Sequence, residues 1–96
     1  MREYELYLVI DADADEETVE ALIARLRELV LADGGEAIKI DARGKRRLAY
    51  PIKRKMESQD IILTFQTPPQ VLAEIERVLK LSEETLRYLL VRTDEK

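Results

Sequence analysis

Two hydrophobic periodicities alternate along this chain, and their order restricts the fold more than any other feature of the sequence. Apolar residues recur at every second position in four segments, as in β-strands, and every three or four positions in two segments, as in α-helices. In chain order the segments predict a strand at 4–10, a helix around 19–30, strands at 38–52 and 61–66, a helix around 72–79 and a strand within 82–92. The sequence therefore predicts a mixed fold of two helices and four strands.

The last segment is the one whose type the pattern determines least. Ser82 could cap a helix, yet Leu86, Tyr88 and Leu90 alternate with the residues between them, as in a strand. We favour a strand, because it completes the α+β order β-α-β-β-α-β, the ferredoxin-like arrangement. In that fold two helices cover one face of a four-stranded antiparallel sheet. The length suits a single domain over residues 1–96.

Local signals predict where the helices begin and end. Asp13 precedes Glu16 by three residues, a spacing that predicts a capped start for the first helix. Gly34 predicts the end of that helix, because glycine readily adopts the left-handed conformation found there. Thr67 followed by Pro68 predicts the start of the second helix, with the threonine as cap and the proline in the first turn.

The second strand shows signs of irregularity and of an edge position. Gly44 interrupts it, which predicts a bulge or a kink. Pro51 has no amide proton to donate to a neighbouring strand, so we expect this strand at an edge of the sheet. Residues 53–59 are polar and predict a turn before the third strand.

The residue types that are missing exclude most catalytic and metal chemistry. The chain has no histidine and no cysteine, and therefore no imidazole base, thiol nucleophile or thiolate ligand. Its many carboxylates fall mainly on predicted solvated helix faces. We expect no enzyme, no metal site, no cofactor and no small-molecule substrate. No segment predicts a signal peptide or a membrane span, and the expected location is the cytoplasm.

Positive charge is concentrated in one segment, which we call the basic hairpin (residues 43–55). It holds seven cations and no acids, whereas the rest of the chain holds nine cations and twenty acids. Such a segment could follow the phosphates of a nucleic acid. The same cations could instead only protect an edge strand from aggregation. The acidic remainder favours nucleic-acid binding, because it would repel a polyanion everywhere else.

The sheet face that the helices leave uncovered, which we call the open face, is predicted to be unusually apolar. Its expected residents are Tyr7, Val9, Ile62, Leu89 and Val91. Only Tyr7 is a plausible ring for stacking on a base, and the aromatic signature of RNA-recognition domains does not occur. The pattern favours contact with another protein over base stacking.

Residues 44–52, GKRRLAYPI, form the most specific motif in the chain. This string resembles the hallmark of the family of the sixth protein of the bacterial small ribosomal subunit, where it lies in the second strand and its hairpin. Arg2 before Tyr4, the helix end at Gly34, the proline that opens the second helix and Arg87 in the last strand also align. The resemblance extends from Arg2 to about residue 92.

The resemblance implies a structural protein that binds the central domain of small-subunit ribosomal RNA together with the eighteenth small-subunit protein. Arginines that match the family pattern carry over as candidate RNA contacts, and the basic hairpin adds further cations. The candidate RNA-binding residues are Arg2, Lys45, Arg46, Arg47, Lys53, Arg54, Arg87 and Arg92. The candidate residues for contact with the eighteenth protein are Leu48, Tyr50, Pro51 and Ile52.

Two alternatives remain open at the level of sequence. Helices rich in Glu, Leu, Ala and Arg also suit a redesigned or idealised ferredoxin-like domain with no native RNA-binding activity. The apolar open face also suits a regulatory module in which two such domains hold a small ligand between them. RNA binding would argue against the first alternative, and a monomeric state at high concentration would argue against the second.

Overall fold

The computed structural model of the protein describes residues 2–93, apart from the side chains at positions 37 and 38. In chain order the elements are β1 (Arg2–Asp11), α1 (Glu16–Ala32), β2 (Glu36–Ile52), β3 (Lys55–Thr67), α2 (Val71–Leu81) and β4 (Thr85–Arg92). The strands pair antiparallel in the order β2-β3-β1-β4. The predicted ferredoxin-like fold is confirmed, including the strand at the end of the chain and the edge position of β2.

The core lies between the two helices and one face of the central strands. Leu6 of β1 lies opposite Leu63 of β3, and Tyr4 lies opposite Phe65 with their ring centroids 5.9 Å apart. Each buried side chain of this kind contributes roughly 1.5–3 kcal/mol relative to an exposed one. The helices supply the facing layer, formed by Val19, Leu22, Leu26 and Val30 of α1 and by Val71, Ile75 and Leu79 of α2.

The N-terminus of α1 differs from the prediction. Its cap is Asp15, whose Oδ1 accepts a hydrogen bond from the Thr18 amide at 2.8 Å. Asp13 belongs to the preceding turn, where its amide donates to Oδ1 of Asp11 at 2.9 Å. The prediction of Asp13 was wrong because several acids follow β1 and each is a chemically competent cap. The path of the turn decides among them.

The C-terminus of α1 ends on glycine as predicted. Gly34 has φ +80° and donates its amide to the Leu31 carbonyl, while the Gly35 amide donates to the Val30 carbonyl. This pair of bonds is the Schellman motif, which satisfies carbonyls that the helix itself leaves free. A Cβ on Gly35 would collide with the backbone oxygens of Val30 and Gln66. The absence of a side chain there lets β2 begin close against the end of the helix.

Two further boundaries differ from the prediction. Strand β3 begins at Lys55, so the predicted turn over 53–59 is confined to two residues, Lys53 and Arg54. The segment can form a strand although it is polar, because Met56 and Glu57 are exposed while the buried Ser58 hydroxyl is bonded to Asp60 at 2.8 Å. Thr67 ends β3 instead of capping α2, and Gln70 occupies the cap position without a side-chain hydrogen bond.

Candidate nucleic-acid interface

The basic hairpin consists of the second half of β2, a two-residue turn and the first residue of β3. Gly44 has φ +83°, and the pairing with β3 shifts by one residue just before it, so the predicted bulge is confirmed. A Cβ at this position would meet no atom within 4 Å, which means that the backbone conformation, not space, favours glycine. At the turn, Lys53 and Arg54 both have positive φ, at 49° and 69°.

The last part of β2, residues 48–51, curves away from β3, and we call this segment the arch. Pairing with β3 stops at Arg47 and resumes only at Ile52. Leu48, within this arch, is 6% exposed and packs with Val9 of β1 and Leu86 of β4. The expectation that Val9 lies uncovered on the open face was therefore wrong, because the chain's own arch covers it.

Two hydrogen bonds attach the arch and the turn to β4. Lys53 donates from Nζ to the carbonyl oxygen of Thr85 at 3.0 Å. Arg87 donates from Nη1 to the hydroxyl oxygen of Tyr50 at 3.3 Å. These contacts bring Arg87, which is distant in sequence, to the side of the basic hairpin.

The cations of the basic hairpin are not equally available to a ligand. Lys45, Arg47 and Arg54 are exposed and form no ion pair within the described part of the chain. Three others are matched with acids. The ion pairs are Arg43 with Asp41 at 3.3 Å, Lys55 with Asp11 at 3.3 Å and with Asp13 at 3.7 Å, and Arg46 with Asp60 at 2.9 Å. Half or more of each of the two arginine side chains nevertheless remains exposed.

The adjacent arginines of the hallmark motif lie on different faces. Arg46 lies opposite Ser58 and Arg47 lies opposite Glu57 in the ladder with β3. Since successive strand residues point to opposite faces, Arg46 shares the open face and Arg47 points to the other side. The two arginines therefore cannot contact one flat partner together.

A buried carboxylate lies behind Arg46. Asp60 is 2% exposed, and its Oδ2 accepts a hydrogen bond from the Tyr7 hydroxyl at 2.6 Å and lies 2.9 Å from Nε of Arg46. Its Oδ1 accepts a hydrogen bond from the Ser58 hydroxyl at 2.8 Å. The hydrogen bond to Asp60, with help from partial burial, raises the pKa of the Tyr7 phenol above its ordinary value. Tyr7 is also partly buried against the cluster of Val9, Leu48 and Leu86, which argues against its use as a stacking ring.

No motif in the sequence predicted this polar cluster. The available signal was a lone acid, Asp60, at the start of an apolar strand and two residues after Ser58, which places both on one face. The identity of its other partners depends on strand register. Tyr7 and Arg46 reach Asp60 only because β1 and β2 flank β3.

Arg2 and Arg92 lie far from the basic hairpin. Arg2 begins β1 and Arg92 lies opposite Tyr4, whereas the hairpin lies beyond the other end of β1, at Asp11. Nine steps along a strand separate these ends by about 30 Å. The candidate RNA-binding residues therefore form two groups at opposite ends of the sheet.

The four candidate partner-binding residues differ in accessibility. Tyr50 is 56% exposed and Pro51 is also exposed, whereas Ile52 is half-buried. Leu48 points inward, so another protein could reach it only by displacing the arch. On the open face, Leu89 is 62% exposed and Val91 is also exposed.

Residues 2–93 contain neither a candidate metal site nor a candidate membrane-spanning helix. These residues contain no cluster of three or more acidic groups placed to hold a metal ion. Neither described helix has the length and apolar character needed to cross a bilayer.

The sheet order and the position of both helices define a ferredoxin-like α+β domain that carries a cationic hairpin. Residues 3–92 match the family described as Ribosomal protein S6. Small ribosomal subunit protein bS6 of Caldanaerobacter subterraneus subsp. tengcongensis is 42% identical over 95 residues, which cover 99% of this chain and 100% of that protein. The corresponding protein of Heliobacterium modesticaldum is 41% identical, with 99% of each chain covered. The chain belongs to the ribosomal protein S6 family.

A solved structure of the family agrees with this assignment. The crystal structure of 30S ribosomal protein S6 from Thermotoga maritima superposes with a TM-score of 0.86 and 28% identity, covering 96% of this chain and 87% of that one. The C-terminal domain of the MgtC protein from Mycobacterium tuberculosis has a TM-score of 0.64 at 8% identity and shares the fold alone. Membership of a family of structural, cytoplasmic proteins of the small ribosomal subunit confirms that the protein is not an enzyme and confirms its location.

Proposed function

We propose that this chain binds the central domain of small-subunit ribosomal RNA together with the eighteenth small-subunit protein, and that the basic hairpin contacts RNA phosphates. The observation that carries the proposal is the exposure of Lys45, Arg47 and Arg54 without any acid paired to them in the described part of the chain. Unpaired surface cations keep their full charge for counterion release when a polyanion binds. Membership of the ribosomal protein S6 family supports the choice of RNA.

The contacts are proposed to be with the RNA backbone and not with base faces. Lys45, Arg47 and Arg54 expose ammonium and guanidinium groups, and arginine matches phosphate oxygens with two parallel hydrogen bonds. Tyr7 is held by Asp60 and is partly buried, and the Tyr50 hydroxyl accepts a hydrogen bond from Arg87. Backbone contacts fix orientation without reading sequence, which suits a protein recognising RNA shape.

The contact with the eighteenth protein is proposed to include the outer surface of the arch. Tyr50 and Pro51 are exposed there, and Tyr50 is bonded to Arg87, a candidate RNA contact. Aromatic residues are common anchors in protein interfaces because they bury a large area with few rotatable bonds. A partner that buries Tyr50 would also hold Arg87, so partner binding and RNA binding would strengthen each other.

The test is a salt series of binding to a central-domain RNA transcript, with and without the eighteenth protein. Arg47→Ala and Arg54→Ala are each expected to weaken binding and to ease the slope of log affinity against log salt by roughly 0.7 to 0.9. Arg25→Ala is the matched control, because Arg25 is an exposed arginine on α1. Equal effects of all three variants would contradict the assignment to the basic hairpin.

A second arm of the experiment tests the partner. Tyr50→Ala is expected to reduce the gain in RNA affinity that the eighteenth protein provides, with a smaller effect on RNA binding without it. If the folded wild-type protein binds neither the RNA nor the partner, the proposal fails and the alternative of an idealised domain without native RNA-binding activity gains support.

A further inference from the structure

We propose that Asp60, supported by Tyr7 and Ser58, positions the guanidinium of Arg46 for contact with an RNA phosphate. The inference rests on the proposed function and deepens it, because it assigns a positioning residue to one of the candidate contacts. Asp60 itself is too buried, at 2% exposure, to meet RNA.

The geometry holds the carboxylate from three sides. Tyr7 donates to Oδ2 at 2.6 Å from β1, Ser58 donates to Oδ1 at 2.8 Å from β3, and Nε of Arg46 lies 2.9 Å from Oδ2 on β2. Each donor comes from a different strand of the same sheet. The carboxylate therefore has a fixed orientation, and its contact with Nε fixes the orientation of the Arg46 guanidinium.

Arg46 keeps the capacity to bind a second anion. A guanidinium has five N–H donors in a rigid plane, and the contact with Asp60 is made at Nε. The Arg46 side chain is 53% exposed although its partner is almost fully buried. Nε of Arg46 is held by Asp60, and the remaining N–H groups face solvent. Those groups are therefore already oriented to donate to phosphate oxygens.

Two effects of Asp60 on RNA affinity oppose each other. A fixed guanidinium loses less side-chain freedom when it binds, which strengthens the complex. A negative carboxylate behind the guanidinium also repels an approaching phosphate, which weakens the complex. In this protein the first effect is the larger one, and the sign of the measured change in affinity tests this.

The experiment is a double-mutant cycle on binding to the central-domain RNA transcript in the presence of the eighteenth protein. The four proteins are the wild type, Asp60→Asn, Arg46→Ala and the double variant, each checked by circular dichroism and thermal melting. Asp60→Asn is expected to weaken binding about threefold to tenfold when Arg46 is present, the range that corresponds to the freezing of one long side chain. In the Arg46→Ala background the same change is expected to leave binding unchanged or to strengthen it.

The possible outcomes separate the two proposals. Unchanged or tighter binding of Asp60→Asn with Arg46 present would overturn the positioning role while leaving RNA binding established. Equal weakening in both backgrounds would assign Asp60 to folding alone and would also overturn the positioning role. Absence of binding by the folded wild type would overturn the proposed function, and this inference with it.

A second variant and a second measurement guard against misfolding of Asp60→Asn. Tyr7→Phe removes one hydrogen bond to Asp60 and keeps the ring, and it is expected to weaken binding in the same direction by a smaller factor. In NMR spectra of the free protein, the Arg46 Nε–H signal is expected to be resolved in the wild type and to broaden or shift in both variants. A signal that both substitutions leave unaffected would contradict the positioning role.

Discussion

Arg46 and Arg47 are neighbours in sequence, yet they differ in what they contact. Arg46 lies on the open face against the buried carboxylate of Asp60, while Arg47 is exposed on the opposite face and has no ion pair in the described part of the chain. Substitution of Arg46 therefore removes a counter-charge from a buried acid and affects folding as well as binding. Arg47 gives the cleaner measure of phosphate contact.

Thr67 offers a test of how a single buried polar atom affects stability. Its side chain is fully buried, and its hydroxyl has no hydrogen-bond partner within residues 2–93. Because an unsatisfied buried hydroxyl is costly, Thr67→Val is expected to raise the free energy of unfolding by about 1 kcal/mol. The matched control is Thr85→Val, which is expected to lower it by about 1 kcal/mol, since the Thr85 hydroxyl donates to Ser82 at 3.0 Å. Urea denaturation measures both, and a loss of stability in Thr67→Val would contradict the reasoning.

Asp15 gives the stability a defined pH dependence. Hydrogen bonds with Thr18 lower the pKa of the Asp15 carboxyl below its ordinary value near 4. The charged form is favoured in the folded state, so its contribution is complete above the ordinary pKa and is lost as the pH falls through the lower folded value. Asp15→Asn keeps a capping oxygen but cannot titrate. We expect the difference in urea denaturation midpoint between the wild type and Asp15→Asn to shrink as the pH is lowered. A difference that does not change with pH would contradict this.

At the level of elements, the turn of the basic hairpin combines strain with charge. Both turn residues have positive φ, the arrangement of a type I′ turn, in which Asn-Gly is strongly preferred. Here the residues are Lys53 and Arg54, and a side chain in the left-handed region costs roughly 1–2 kcal/mol. The hydrogen bond from Lys53 to the Thr85 carbonyl oxygen offsets part of that cost. Residues under such strain commonly belong to functional sites.

Relief of the strain at Arg54 is expected to stabilise the fold and to weaken RNA binding. Arg54→Gly should raise the free energy of unfolding by about 0.5–1 kcal/mol, because glycine accepts φ 69° but loses more backbone entropy on folding. Arg54→Ala is the matched control, since it removes the same charge and keeps the strained Cβ. Thermal melting should separate the two variants, and RNA titration should give them equal losses of affinity. Equal melting temperatures would show that the turn is not strained.

The periodicities predicted the type of every element but not all of the boundaries. Stripes such as Leu22 and Leu26 recur at helical spacing because one side of α1 must face the sheet. No alternation of apolar residues marks the start of β3 at Lys55, because exposed strand residues such as Met56 and Glu57 do not have to be apolar. The arch at Leu48 also escaped prediction, since an apolar residue in a strand pattern does not reveal which surface it covers.

At the level of the whole molecule, the candidate RNA-binding residues form two groups at opposite ends of the sheet. The basic hairpin lies beyond one end of β1, and Arg2 lies at the other end, about 30 Å away. Arg87 lies beside the hairpin, opposite Val9, and Arg92 lies toward the Arg2 end, opposite Tyr4, about 17 Å from Arg87 along β4. The longest dimension of the molecule is 37 Å, so the two groups extend over most of it. An RNA that contacts both must follow the length of the protein.

Groups so far apart should act independently. Arg2→Ala and Arg54→Ala are each expected to ease the salt slope by roughly 0.7 to 0.9, and the double variant is expected to show both reductions. Their effects on binding free energy should add to within about 0.5 kcal/mol, because the sites share no contacts. RNA titrations of the four proteins at several salt concentrations measure the coupling. A coupling well above this value, or no effect of Arg2→Ala, would contradict the involvement of both ends.

The sequence by itself determined the fold class, because the positions of apolar residues fix which side of each element must be buried and because Pro51 belongs on an edge strand. It also determined the cationic character of the hairpin, which is a property of composition. Only the tertiary structure decided which cations are unpaired, since this depends on the acids that strand register brings within reach. The partnership of Arg46 with Asp60 and Tyr7 joins three strands through distances that no local pattern encodes.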